Sequence, residues 1–411
     1  MKVERQRKID RVVGKVICRI LSVIPKKDGS PAEPSRILII LLSEMGSLLL
    51  AKPMFNHIRE RYKQASLYVL CFERNREFLE IVEPLPSSHI FTVRGESLWG
   101  LLKDSLRVLA GIRKSRVDTV LDCELFSRIS SIYSFLSGAH IRVGFHPHTQ
   151  EGLYRGGFIN RPVLYNPYLH MSHQFINLVE AIGSTQKPTV KRCPSKKPFR
   201  ASPFEAGNAE KEVMWRRLIG DFPQIFGKKL VLLYPSGGLL PIRAWPLSHF
   251  CVVAENLLDR GYAVGVIGME EDKMLAERLL SHCKSDQCID LTGYTKTVRE
   301  LMILFHFASL LITNDGGPGH FAAMTPVPAI VLYGPETPTL YGPMDSKSRT
   351  CYVPLSCSPC LTAYNHRHSP CDGDNQCLKA IHPERVLKMA CEILEQGDQS
   401  LAEERILEAR C

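Results

Sequence analysis

The chain has 411 residues, 45% of them hydrophobic and 23% charged, with a formal net charge of +10. That length is too great for one ordinary core and suits two α/β domains, and the composition is that of a globular protein. No run approaches the roughly 20 apolar residues that cross a bilayer, and Lys15 and Arg19 interrupt the N-terminal apolar residues with no small-residue cleavage site after them, so the expected compartment is the cytoplasm.

Residues 1–34 read as a basic amphipathic helix and a linker. Residues 1–27 carry nine Lys and Arg against Glu4 and Asp10, a local +7 that leaves +3 for everything else. The folded body is therefore near neutral, which argues against a nucleic-acid partner, because that would need a basic stripe on a folded domain. Ile9, Val12, Val13, Val16, Ile17, Ile20, Leu21 and Ile24 follow helical spacing, Arg5, Lys8, Arg11, Lys15 and Arg19 fall around the other faces, and Pro25 stops the pattern. Two readings stay open: a helix lying on an anionic membrane surface through residues 1–24, or one packed on the protein's own core or on a partner.

Residues 35–190 read as a first doubly wound domain. The buried-strand candidates are RILIILL from Arg36, LYVLC, HIFTV, TVLDC and IRVGF, with helical patterns in the segment after Ser43 and at Arg74–Val82, Leu98–Arg113 and Arg128–Leu136. Residues 191–227 turn to Lys, Pro and Ser with one helical patch near Glu210–Ile219, and read as a connection. Residues 228–394 repeat the alternation with KLVLLYP, YAVGVIG, CIDL, SLLITND and PAIVLYG as strands, a last helix at Pro383–Glu395, and a charged tail over 395–411. Repeated β-loop-α units predict parallel sheets covered on both faces, with ligands at the carboxyl ends of the strands.

The loops that follow those strands carry the chemistry. Ser236, Gly237 and Gly238 can wrap an anion, and Arg243 offers a forked cation suited to phosphate. Glu270 or Glu271 after the next strand could meet a ribose or base, and Thr297 stands where a helix N-cap is expected. The richest loop, Asn314-Asp315-Gly316-Gly317-Pro318-Gly319-His320, joins a strand to small residues suited to a helix, and its glycines let a backbone approach a diphosphate closely.

From Arg36 to Leu394 the chain resembles glycosyltransferase family 9, the heptosyltransferase-like enzymes of bacterial surface polysaccharides. The motifs are an opening like ILxxxLSxxGSxLLxxP, the GG-x(4)-RAWP segment, DGGPGH followed by AAM, VLYGPETP and the late Cys-x2-Cys. The resemblance implies two Rossmann-like domains in the GT-B arrangement and transfer of a heptose or similar sugar from a nucleotide-sugar donor, with inversion and no required metal. The acceptor it implies is a lipid-linked or lipopolysaccharide-type saccharide at the inner face of the cytoplasmic membrane. By position, Arg243 corresponds to a basic residue at the nucleotide diphosphate, and Asp315, Gly316, Gly317 and His320 to the loop around diphosphate and donor sugar. One position departs: the family has Gly-Asp where this chain has Gly46-Ser47, and that aspartate is the family's base. A serine cannot take a proton at neutral pH. Glu44 on the same loop is the candidate replacement, or else a loop carboxylate that only hydrogen-bonds or caps the next helix, and Asp122 is a weaker alternative.

Arg142, His146 and Arg155, with His148, His170 and His173 nearby, suggest either a polar surface facing an acceptor, the arginines meeting its phosphates, or ordinary loop polarity. Cys357, Cys360, Cys371 and Cys377, spaced C-x2-C-x10-C-x5-C, could hold a structural zinc, form disulfides or stay free. Two other functions are weighed. A sugar-nucleotide-binding or scaffold protein would keep the fold and lose turnover with the base at Ser47. A nicotinamide-dependent oxidoreductase is disfavoured, since SEMGS rather than G-x-G-x-x-G follows the first strand.

Overall fold

The computed structural model describes residues 9–24, 33–42, 44–95, 98–125, 127–146, 154–184, 190–191, 199–364 and 368–408. Arg5, Lys8, Pro25 and His148 lie outside the described residues. The chain forms two compact units, the first Met1–Phe199 with Leu361–His368, the second Arg200–Cys360 with Ser369–Cys411.

In the first unit a π-helical turn, Asp10–Gly14, runs into α1 (Lys15–Val23). There follow β1 (Arg36–Ile40), α2 (Met45–Leu50), α3 (Lys52–Arg61), β2 (Ser66–Phe72), α4 (Arg76–Val82), β3 (Ile90–Val93), α5 (Leu98–Lys114), β4 (Thr119–Asp122), α6 (Arg128–Leu136), β5 (Ile141–Phe145), β6 (Arg161–Val163) and α7 (Met171–Glu180). The strands pair in parallel in the order β3-β2-β1-β4-β5-β6. Being buried on both faces, they need continuous apolar runs rather than alternation, and β1 has Ile37 to Ile40 all buried. Leu38, Ile40, Leu70, Val93 and Val120 meet Val108 and Ile112 of α5 and Tyr133 of α6 on one face.

The N-terminal helix packs on the first unit by one face. The Asp10 carboxylate accepts from the backbone N–H of Arg128 at 2.9 Å and of Ile129 at 2.8 Å, capping α6 from another element. Cys18 packs with Phe158 and Ile159. At Gly14 an added Cβ would lie 2.9 Å from the Arg128 Cβ, so the helices approach as closely as they do only with glycine there. Val12, Val13, Val16, Ile20 and Val23 are left exposed on the outer side. No helix among the described residues is long and apolar enough to cross a membrane.

The second unit runs α8 (Asn208–Asp221), β7 (Leu230–Tyr234), α9 (Leu247–Asp259), β8 (Ala263–Gly268), α10 (Lys273–Cys283), β9 (Cys288–Thr292), α11 (Val298–Leu304), β10 (Ala308–Asn314), α12 (Gly317–Ala322), β11 (Ala329–Tyr333), α13 (Pro338–Tyr341), β12 (Arg349–Tyr352), α14 (Gln376–Lys379) and α15 (Pro383–Glu408). Its parallel order, β12-β11-β10-β7-β8-β9, repeats that of the first unit. Trp245 is buried in its core and donates Nε1–H to the Ile381 carbonyl at 2.9 Å, which ties the loop after β7 to the segment before α15.

β6, β12, α7 and the short helices α13 and α14 have no counterpart in the sequence expectation, and α8, placed in the connection by sequence, groups with the second unit. Arg299 of α11 holds Glu210 of α8 through a two-point ion pair at 2.7 and 2.8 Å.

Candidate active site

In a doubly wound sheet the crevice for a ligand opens where the strand order reverses. In the second unit that point lies between β7 and β10, which are hydrogen-bonded neighbours whose chain connections leave in opposite directions. Ser236, Gly237, Gly238 and Arg243 follow β7, and Asp315 to His320 follow β10, so the structure brings these predicted residues to one place. Glu271 is exposed after β8, one strand away. Thr297 follows the edge strand β9, where its hydroxyl accepts from Glu300 N–H at 3.1 Å as the N-cap of α11. Neither joins the cluster at the switch point.

One side chain that the sequence reading left without a role organises the crevice. Asn314 ends β10, and its Nδ2 donates to the carbonyls of Pro235 at 3.0 Å and Ser236 at 3.1 Å, while its Oδ1 accepts from Trp245 N–H at 2.9 Å. A buried amide with both ends engaged fixes two loops against one strand. Those loops deliver Arg243, which is 4% exposed, between two carboxylates: its Nη2 lies 3.1 Å from Glu336 Oε1 and its Nε 3.6 Å from Asp315 Oδ2. Glu336, from the VLYGPETP motif, was also missed as a site residue. A buried arginine flanked by two acids is a cation whose position is set before any anionic ligand arrives.

The glycines divide into two kinds. At Gly237 a Cβ would stand 2.8 Å from the Leu240 carbonyl oxygen and 2.9 Å from Pro241, so the turn itself excludes a side chain; at Gly319 it would press on Val331 at 3.1 Å where α12 meets the sheet. At Gly316 a Cβ would meet nothing nearer than 4.0 Å. Packing therefore does not require glycine there, and open space is what the missing side chain leaves. Gly237→Ala is expected to cost about 1–3 kcal/mol by overpacking, and Gly316→Ala to leave stability within about 0.5 kcal/mol. Thermal unfolding of the two variants checks the contrast, and equal midpoints would remove it. His320 is buried on α12, which starts at Gly317.

The switch point of the first unit lies between β1 and β4. Glu44 stands in the loop after β1 at the N-cap of α2, half-buried, with no side-chain cap hydrogen bond, and Ser47 is one turn on, its N–H bonded to the Glu44 carbonyl at 3.0 Å. Across the crevice Glu124 Oε1 accepts from Leu42 N–H at 2.7 Å, binding the two loops together.

Several first-unit assignments are corrected. Asp122 cannot serve as a base, because it is fully buried in an ion pair with the Nη2 of Arg155 and accepts from Ser130 Oγ at 3.1 Å. Arg155 does not face an acceptor: it is 1% exposed and gives its other N–H groups to the carbonyls of Ser127 at 2.9 Å and Glu124. Arg142 is likewise buried, donating Nε–H to the Phe158 carbonyl at 2.8 Å and Nη1–H to that of Ala139. His146 is half-buried beside Tyr154, with ring centroids 6.3 Å apart, and His170 caps α7 while bonding Ser172 Oγ at 2.7 Å.

Among the described residues no three His, Cys, Asp or Glu side chains stand where they could hold one metal ion. The thiols of the four-cysteine segment have other surroundings: Cys360 Sγ accepts from Ser369 Oγ at 3.1 Å, Cys371 lies 3.8 Å from Asn375 Oδ1, Cys357 is exposed and Cys377 is buried. They do not fit zinc as placed.

The sequence profile of glycosyltransferase family 9 (heptosyltransferase) matches residues 106–369. Over 365 residues the chain is 24% identical to lipopolysaccharide heptosyltransferase 2 of Salmonella typhimurium, covering 86% of this chain and 97% of that enzyme. The enzyme of the same name from Escherichia coli is 24% identical over 369 residues, with the same shares. Among solved structures, E. coli ADP-heptose lps heptosyltransferase II superposes with a TM-score of 0.67 at 21% identity, covering 88% of this chain and 99% of that one, a likeness of fold. With two doubly wound domains and the motif loops at the carboxyl ends of β7 and β10, the chain belongs to glycosyltransferase family 9 and is a glycosyltransferase.

Proposed function

We propose that the protein transfers heptose from ADP-heptose, with inversion, to the saccharide of a lipid-linked, lipopolysaccharide-type acceptor. The observation that carries this reading is Arg243, fixed by Glu336 and Asp315 at the switch point beside the open backbone of Gly316. A nucleoside diphosphate leaving from the anomeric carbon gains negative charge on its terminal phosphate, and a cation already in position stabilises that charge without reorganising. The relatives' names supply the donor and acceptor class.

On the acceptor side, the Glu44 carboxylate takes the proton of the attacking hydroxyl as its oxygen bonds to the anomeric carbon and the bond to the diphosphate breaks. Configuration inverts because entry and departure are on opposite faces. Neutralisation of the leaving group by Arg243 needs no resident metal in this scheme. One equivalent of zinc in the purified protein would restore a structural role for the four cysteines. The N-terminal helix, packed by one face and apolar on the other, places the enzyme on the membrane that carries its acceptor.

Thermal-shift measurements with ADP-, GDP-, UDP- and CDP-sugars test the donor: stabilisation is expected from ADP-heptose, and a response to UDP- or GDP-sugars alone overturns the reading. Gly316→Ala should abolish that stabilisation while folding normally. Glu44→Gln is expected to slow transfer by about 10²–10⁴-fold with donor binding intact; full transfer by this variant would move the base elsewhere. A wild-type protein that binds donor and transfers to no acceptor would favour the scaffold alternative.

A further inference from the structure

Among the described residues the outer face of α5 is left exposed. Trp99 is 81% exposed, Leu102 53% and Leu106 66%, and with exposed Ala110 they recur at i, i+3, i+7 and i+11, one continuous stripe. The opposite face holds Val108 and Ile112 in the core, so the stripe is not a misplaced interior. Large apolar side chains grouped this way on one surface mark an interaction site, whereas scattered ones need no explanation.

Among the described residues of α5 the exposed charge has one sign. Lys103, Arg107, Arg113 and Lys114 are exposed on α5. The helix's one acid, Asp104, is buried beneath Arg94 at 2.9 Å and Arg107 at 3.2 Å, and the Arg94 guanidinium holds its carboxyl at about 2. What α5 presents outward is thus tryptophan and leucine edged by cations. A tryptophan at an apolar–polar boundary and cations beside it are what a lipid head-group layer of negative charge accepts.

A second observation relates α5 to the N-terminal helix. α6 lies between α5 and the N-terminal helix: Tyr133 bonds Ser105 of α5, while Ile132 and Phe135 pack with Cys18 and the α6 N-terminus is capped by Asp10. Flanked on both sides, α6 buries even Ser131 and Ser134 completely. α5 and the N-terminal helix therefore belong to one helical layer, and each carries an exposed apolar stripe bordered by Lys and Arg; on the N-terminal helix these are Val12, Val16, Ile20 and Val23 beside Arg11, Lys15 and Arg19.

We infer that the Trp99–Leu102–Leu106 face of α5 is a second membrane-binding element that inserts into the head-group region of an anionic bilayer alongside the N-terminal helix. This rests on the membrane reading given above for that helix, and adds a contact made by the folded domain itself. Two elements matter physically, because one short amphipathic segment binds reversibly while two on one rigid body bind with multiplied affinity and a fixed orientation.

The test is cosedimentation of the full chain with vesicles of phosphatidylcholine, alone or with one quarter phosphatidylglycerol. Trp99→Ser/Leu102→Ser/Leu106→Ser should bind the anionic vesicles at least tenfold more weakly than wild type, with an unchanged thermal midpoint. Lys103→Glu should weaken binding about fivefold or more through the lost cation. Val16→Ser/Ile20→Ser/Val23→Ser probes the N-terminal helix separately. If the α5 triple variant binds like wild type while the N-terminal triple does not, the α5 inference fails and the helix reading stands; the reverse pattern retains α5 and removes the helix. Wild type that binds neither vesicle overturns both. A wild-type dimer that the α5 triple variant converts to monomer would assign the face to protein association instead.

Discussion

Replacing Arg243 by alanine is expected to lower the transfer rate by about 10²–10³-fold, the loss typical of removing one preorganised group from developing negative charge. The effect has two sources. The diphosphate loses its cation, and Glu336 and Asp315, both buried, are left facing each other's charge and the donor's. Breaking a buried pair from one side also costs about 3–5 kcal/mol of stability. Arg243→Lys separates the two. It keeps the charge, loses the planar fork, and should fold while transferring at an intermediate rate. Single-turnover transfer on protein shown to be folded is the measurement. If folded Arg243→Lys and Arg243→Ala both keep wild-type rates, the diphosphate is bound elsewhere.

Arg155→Ala is expected to destabilise the first unit by about 3–5 kcal/mol. Asp122 would remain fully buried without its cation, and the Glu124 and Ser127 carbonyls would lose their donors. Removing both charges with shape kept, as in Arg155→Met with Asp122→Leu, should recover much of that loss, since an apolar pair of similar volume is often as stable as a buried ion pair. Urea unfolding of the single and double variants gives the coupling. An unchanged midpoint for Arg155→Ala together with a raised KM for acceptor would return this arginine to the role that its sequence setting suggested.

These two arginines show what could be read from sequence and what could not. Arg243 lies in a loop already marked by Gly237 and Gly238 after a strong strand, so its place at the carboxyl end of the sheet follows from local order. Arg155 sits in GLYRGG, equally polar and glycine-rich, but its partner Asp122 lies 33 residues away and only the tertiary pairing reveals it. The central strands were legible because burial on both faces demands unbroken apolar runs, as in Ile37–Ile40. The edge strands were not. β6 is three residues containing Pro162, tolerable only at an edge, and β12 reads RTCY with little apolar signal. α7 was legible and passed over: Met171, Phe175, Leu178 and Val179 stand at i, i+4, i+7 and i+8, the spacing of a helix packed by one face. Glu336 and Asn314 were visible as motif letters. Their work, fixing a guanidinium and clamping two loops, depends on strand order and not on neighbours in sequence.

The eight residues Leu361–His368 belong to the first unit although the segments before and after them belong to the second, and Tyr364 there meets Tyr165 edge-on with centroids 5.7 Å apart. The two units are thus interleaved along the gene. A fragment ending at residue 199 omits a piece of its own fold, and a fragment starting at residue 200 carries a passenger that has lost its seat. Dissecting this enzyme into halves, or grafting its second unit onto another first unit, therefore requires two joints to be matched and not one.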